Sequence, residues 1–307
     1  MTNFLELETL ISQSQAQLGI NYHILVEEPF RVFKENIRAN DIEKAASNAN
    51  ALLHTIKKID AYELHKNLGN AFLNLLYSIG KPKHIASIHM QLAVSYDMEN
   101  NFAASEEHFH AGVRVIEPFA ESGDTVAINI LAGLWYNRCQ QVRNGESKAE
   151  IKAYAAKAML LYEQIDYKRG IMLCLNQIGT LTESNKIEER IRIYQRIVTI
   201  ANETGDWIMG ELAHVNWGYA EIENGNHAYG FKLMENGVRE IEKSTSGRYA
   251  ALANLNLAEA YHRTGRNTEA LEKCNFSEEI FTKAGITVYS ESIKLLRHNI
   301  LEQLGKN

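Results

Sequence analysis

The sequence predicts an all-α chain folded as an α-α superhelix, a solenoid of about seven helix pairs. Three observations predict it. Apolar residues recur at helical spacing along almost the whole chain, as in Leu92 and Tyr96 or Leu271 and Cys274, and strand-like alternation is scarce. Only three prolines, Pro29, Pro82 and Pro118, occur in 307 residues. Average usage would give about fifteen, so helix ladders can run unbroken. Short Gly, Asn and Asp breaks return with a period near 40 residues, which marks a helical array rather than two globular domains.

Taken in order, the first helix is expected from about Asn3 to Leu18, ending at Gly19, as a cap or an arm. Phe30, Phe33 and Ile37 form one stripe, and Ile42, Ala45, Ala49 and Leu52 another. The Asn40-Asp41 turn between them suggests a degenerate helix pair. Further breaks fall at Asn100-Asn101, Gly123-Asp124, Gly205-Asp206, Gly225-Asn226 and Gly265-Arg266. Glycine there supplies a left-handed cap, and the neighbouring Asp or Asn can cap the helix that follows. Two turns are altered, at Gly145-Glu146-Ser147 and Ser184-Asn185-Lys186. Pro118, in VIEPFAESGD, predicts a kink inside a second helix. Val288, Ile293, Leu296, Ile300 and Leu304 give a last amphipathic helix with a charged outer face, as the end of a solenoid requires. The expected organisation is an N-terminal helical region over 1–80 (a degenerate repeat or cap), repeats over 81–285, and a C-terminal capping helix over 286–307.

The period is carried by a small residue in the middle of each first helix: Ala93, Gly133, Gly179, Gly218 and Ala258, at intervals of 40, 46, 39 and 40. With no bulky side chain between the backbones, the second helix of each pair can approach closely. A second small residue follows the turn at Ser105, Gly230 and Ala270, and a third at Gly112, Gly237 and Ser277. The segments LAVSYDMENNFAASEEHFHAG, WGYAEIENGNHAYGFKLMENG and LAEAYHRTGRNTEALEKCNFS thereby resemble the tetratricopeptide repeat. The matching residues are Leu92-Ala93, Tyr96, Asn100, Ser105 and Phe109 in the first, and Leu257-Ala258, Tyr261, Gly265 and Ala270 in the last. The period is longer than the minimal 34 residues of that repeat, as in its long-helix relatives. The resemblance covers about residues 83–285 and implies a scaffold that binds proteins or peptides.

Composition narrows the function. Formal net charge is -6 and the pI is near 6.0, which argues against a broad basic face for nucleic acid. Cys139, Cys174 and Cys274 are odd in number, far apart and without a C-x-x-C, so neither a disulfide framework nor a zinc knuckle is expected. The start, MTNFLELETLISQSQ, is acidic with no basic stretch, unlike a secretory signal. No run of about 18 apolar residues would span a membrane, and the expected compartment is the cytoplasm. Phosphate loops, H-E-x-x-H and G-x-S-x-G are all missing. Glu106 and His110 stand four apart on one helix face, a spacing that gives two metal ligands at most. The reading is of a chain that is not an enzyme, with no cofactor and no metal.

The first helices offer a different chemistry. Two residues before each mid-helix small residue stand Gln91, Leu131, Gln177, Asn216 and Asn256, four carboxamides in five, with Asn176 beside Gln177. A carboxamide carries both donor and acceptor, so it can pair with the N–H and the C=O of one peptide residue whatever its side chain. Tyr219, Asn137, Arg138, His262 and Arg263 lie further along the same face as candidates for selectivity. This column resembles the peptide groove of Rap-like bacterial peptide-pheromone receptors, which implies a regulatory receptor as the alternative function. The N-terminal part here is short, and no helix-turn-helix with basic recognition residues is found. The dicarboxylate clamp of chaperone cochaperones needs lysines paired with asparagines on adjacent first helices, and those lysines are missing. The expected partner is a protein or peptide, with no nucleic acid and no membrane, and a homo-oligomer is left open.

Overall fold

A computed structural model describes residues 7–12, 23–58, 62–98, 101–140, 146–243, 247–283 and 289–305. Every described element is helical, and the chain falls into two compact units, Met1–Asp166 and Tyr167–Asn307. The fold class is all-α, of the helix-pair superhelical kind, as the periodicity predicts.

In the first unit a single π turn, His23–Glu27, leads into α1 (Glu28–Arg38). There follow α2 (Ile42–Lys58), α3 (Tyr62–Ile79), α4 (Pro82–Met98), α5 (Phe102–Glu121), α6 (Thr125–Cys139) and α7 (Lys148–Gln164). The second unit holds α8 (Lys168–Leu181), a 3-10 turn at Ser184–Lys186, α9 (Ile187–Thr204), α10 (Trp207–Glu223), α11 (His227–Glu242), α12 (Gly247–Arg263), α13 (Asn267–Lys283) and α14 (Ser290–Gln303). Each helix packs on its successor within its unit. The first helices also touch one another: α2 on α4, α4 on α6, and α8 on α10, α10 on α12, α12 on α14. The expectation was about seven pairs. Six complete pairs are described, with α1 before them and α14 after. α1 packs on α2 across the Asn40-Asp41 turn, and α2 packs in turn on α3 and on α4.

Helix boundaries follow the predicted chemistry. Asn101 caps α5 by accepting from Ala104 N at 3.3 Å, and Asp124 caps α6 by accepting from Val126 N and Ala127 N, both at 3.0 Å. Ser147 and Glu150 form a reciprocal capping box on α7. Asp206 caps α10, directly after Gly205 ends α9 at φ 71°, a conformation that costs an L side chain energy. Pro118 lies in the last turn of α5, and the helix carries past it to Glu121. Most of the helix expected over 3–18 lies outside the described residues, as do Asn100, Gly145 and Val288; 7–12 is helical, and Leu7 and Ile11 enter the core.

Packing explains the small residues. A β-carbon on Gly218 would stand 2.5 Å from Gly230 O, and one on Gly230 would stand 2.5 Å from Gly218 O. α10 and α11 therefore cross backbone to backbone, as the spacing predicts. Ala93 with Ser105, and Ala258 with Ala270, are buried at the corresponding positions. Gly179 differs, because its β-carbon would meet the Tyr194 ring at 2.9 Å rather than a backbone. The first unit's core joins Phe33, Leu52, Leu68, Phe72 and Ile88, with the Phe33 and Phe72 rings edge-to-face at 5.1 Å. The second unit's core joins Val215, Met234, Leu257, Tyr261, Phe281 and Ile293. Cys139, Cys174 and Cys274 are buried as thiols, not as disulfides.

Candidate functional site

In the second unit three asparagines on successive first helices bond to one another. Asn216 Nδ2 donates to Asn176 Oδ1 at 2.8 Å, and Asn256 Nδ2 donates to Asn216 Oδ1 at 3.0 Å. α8, α10 and α12 are joined at this level by a head-to-tail carboxamide ladder with a 40-residue step. All three side chains are half-buried. A primary amide has two N–H groups and two acceptor sites. Each rung therefore keeps at least one donor and one acceptor beyond those the ladder uses. The rung on α8 is Asn176; Gln177, half-buried beside it, is not part of the ladder.

Three and seven residues further along the same helices, the face becomes ionic. Tyr219 OH donates to Glu259 Oε1 at 2.8 Å, again across a 40-residue step. Burial, reinforced by the Glu259 carboxylate, pushes the Tyr219 phenol well above its ordinary range, so it stays a donor. Arg263 bonds Glu259 through Nη2 at 3.0 Å, reaches Glu223 at 3.4 Å, and lies over the Tyr219 ring with its guanidinium 5.5 Å from the centroid. Glu223 also accepts from the buried Arg190. His262 turns to Asn267, with Nδ1 2.8 Å from Oδ1. Tyr219 and Arg263 are thus tied into the face by partners the sequence did not reveal.

The first unit contains a shorter relative of the ladder. Gln91 Nε2 donates to Asn50 Oδ1 at 3.2 Å, across 41 residues. Behind Asn50 stands His84, whose Nδ1 is 3.2 Å from Asn50 Nδ2 and whose Nε2 is 2.8 Å from Glu43 Oε1. Lys81 first, and then His84, hold the Glu43 carboxyl down at about 2. Asn50 was missed in the sequence because Leu52 stands where Ala93 marks α4, 41 residues later. Gln91 itself is buried rather than open.

Arg138 is buried as well. Its guanidinium donates Nε to Glu106 at 3.1 Å, binds Glu146 through both terminal nitrogens, and lies 4.8 Å from the Tyr154 ring centroid. Burial opposes its charge, but Glu146 and Glu106 outweigh burial and raise its pKa. This side chain joins α5, α6 and the approach to α7, and is not offered to a ligand. Asn137, beside it on α6, is half-buried. In the Glu106–His110 pair considered as a metal site, Nε2 lies 3.1 Å from Oε1, with Arg138 on the other carboxylate oxygen. Deeper in this unit His89 Nδ1 lies 2.8 Å from His108 Nδ1, and Tyr77 OH lies 2.9 Å from His89 Nε2. His65 bonds Ser95 Oγ through Nδ1 at 2.9 Å.

The chain matches no family model and no curated protein. Among solved structures it is similar to a Signal Transduction ATPase with Numerous Domains (STAND) protein with a tetratricopeptide repeat sensor from Pyrococcus horikoshii. The TM-score is 0.54 at 14% identity, over 93% of this chain and 48% of that one. The fold is a tetratricopeptide-like helical repeat. Identity at that level shows fold alone, and this chain spans about half the length of the ATPase. No helix among the described residues is long and apolar enough to cross a membrane.

Proposed function

We propose that this helical-repeat scaffold binds an extended peptide, or an extended segment of a protein partner, on the first-helix face of its second unit. The observation that carries the reading is the Asn176–Asn216–Asn256 ladder, whose rungs are half-buried and keep donors and acceptors to spare. Such groups suit a peptide backbone, which offers one donor and one acceptor per residue. Tyr219, Glu259, Glu223 and Arg263 flank the ladder and would read side chains. Gln91, Asn137 and Arg138 belong to the first unit and take supporting roles there. The role is one of binding, with no catalysis. The test is selection of a random peptide library on the full chain, run in parallel on the Asn216→Ala, Asn256→Ala double variant. Sequences enriched by the wild type alone support the reading; identical enrichment on both chains refutes it.

A regulatory receptor is the second reading. The similar ATPase is described as carrying its repeats as a sensor. In the present chain the ladder bonds join neighbouring first helices, so a ligand competing for them would change how those helices sit. Solution scattering with and without a selected peptide tests this, since an unchanged profile leaves a plain adaptor.

A further inference from the structure

The first helices of the second unit stand in register at successive levels. Asn216 meets Asn176 and Asn256 at the first level, Tyr219 meets Glu259 at the second, and Arg263 reaches Glu223 at the third. α10 and α12 therefore run parallel, joined by α8 at the first level. A given offset from the ladder then names one row across the face, since residues three and four apart share a helix face.

The two flanks of the ladder differ in kind. One turn nearer the amino ends of the helices stand Leu173, Leu212 and Leu252, each half-buried. Leu212 and Leu252 rest on the second unit's core and leave apolar surface beside the carboxamides. Nearer the carboxyl ends stand Tyr219 and Glu259, then Glu223 and Arg263. Glu259 accepts from Tyr219 and Arg263, and Glu223 from Arg190. An apolar side chain laid on that flank would strip water from charged groups and give no bond back. A polar one laid on the leucines would lose its own hydrogen bonds to water.

A peptide that follows the ladder with its backbone runs across the helices. With one backbone edge on the carboxamides, its side chains point alternately to the two flanks, because successive residues of an extended chain face opposite ways. This holds whichever way round the carboxamides stand and whichever way the peptide runs. We infer that the first-helix face of the second unit selects segments that alternate apolar and polar residues. The apolar ones lie on Leu173, Leu212 and Leu252, and the polar ones on Tyr219, Glu223, Glu259 and Arg263. The inference rests on the proposed peptide-binding role and names its ligand class.

The test presents the immobilised full chain with two pools of nine-residue peptides of one composition, built from Leu, Val and Phe and from Ser, Asn, Lys and Glu. In one pool the two kinds alternate; in the other the apolar residues are grouped at one end. Retained peptides are counted by mass spectrometry. The alternating pool is expected to be retained at least about tenfold over the grouped pool, the effect of burying roughly two CH2 groups on the leucine row. Leu212→Ser, Leu252→Ser with unchanged circular dichroism should abolish that preference, and Leu252→Ser alone serves where the double variant unfolds. Equal retention of the two pools, with both lost in the Asn216→Ala, Asn256→Ala chain, overturns the alternation and leaves peptide binding standing. So does a preference that survives in the folded leucine variant. Retention of neither pool, or retention that the asparagine variant leaves unchanged, overturns both.

Discussion

Replacing Gly218 by alanine sets helix propensity against packing. Inside a helix, alanine is favoured over glycine by about 0.8–1.0 kcal/mol. Against that, the new β-carbon would stand 2.5 Å from Gly230 O, 2.6 Å from Met234 Cγ and 3.0 Å from Met234 N. A close carbon–oxygen contact needs about 3.3 Å, so α10 and α11 must part by roughly 0.8 Å at their crossing. Overpacking of this kind costs about 1–3 kcal/mol, and a backbone obstacle puts it at the upper end. The net expectation is about 2 kcal/mol of destabilisation, after ~1 kcal/mol of propensity is set against ~3 of strain. Gly210→Ala is the control. It lies in the same helix, and its β-carbon would meet only Ala201 Cβ, at 3.3 Å. It should be neutral or stabilising by up to about 1 kcal/mol. In urea, with a slope of about 2 kcal/mol/M, the Gly218 variant should lose about 1 M of midpoint and the control should lose none. If both variants shift the same way by the same amount, the backbone crossing is not what the glycine provides.

Burial lowers the His65 imidazole from its ordinary 6.5 to about 4, helped by the positive charges of Lys57 and His54 and opposed by Gln91. The unfolded chain then binds more protons than the folded one between those values. Stability from this group is complete above pH 6.5 and falls as pH drops toward 4, by up to about 3 kcal/mol. Side-chain nitrogen shifts in labelled protein check it, and a His65 titration near 6.5 would contradict the burial argument. Arg138→Ala strands Glu146 and Glu106, and should cost about 3–5 kcal/mol; a melting temperature equal to wild type would count against the buried pair. The Cys139 thiol, pushed up to about 12 by burial, should not react with a disulfide reagent at pH 8 until the chain unfolds, which a stopped reaction in native buffer would show.

The architecture was legible because its markers are steric. Gly218 and Gly230 are spaced as a close crossing demands, and the structure has that crossing. Asp124, Asp206 and Asn101 announced their helices by capping chemistry that depends on neighbours two or three residues away. Register across helices was less legible. Alignment on the small residue chose Gln177, because Gly179 precedes Gly218 by 39 residues, while the ladder keeps a step of 40 through Asn176. Gly179 faces a tyrosine ring, not a second backbone, so it marks a position one residue off, about a 100° turn of the helix. The carboxamides read as open hydrogen-bonding groups prove to be bonded to one another, since residues 40 apart in sequence show nothing of the distance between their side chains. Arg138 looked like a groove residue, yet Glu106 and Glu146 converge on it from separate segments. Asn50 carried no signal, as its helix departs from the repeat pattern, and His84 none, as it lies outside the residues that carry that pattern in its helix.

The measurement that bears most directly on the central claim is the affinity of a library-selected peptide for the wild type and for the Asn216→Ala, Asn256→Ala chain, with urea midpoints recorded for both. Two rungs, each with two backbone bonds worth about 0.5–1.5 kcal/mol, should weaken binding by about 2 kcal/mol or more, roughly thirtyfold. Loss of the two ladder bonds should also lower the urea midpoint, by about 0.5–1.5 M at a slope of about 2 kcal/mol/M, so affinity is compared in buffer, where both chains are folded. Equal affinity in the two chains would make the ladder a structural tie between α8, α10 and α12, with the binding face elsewhere.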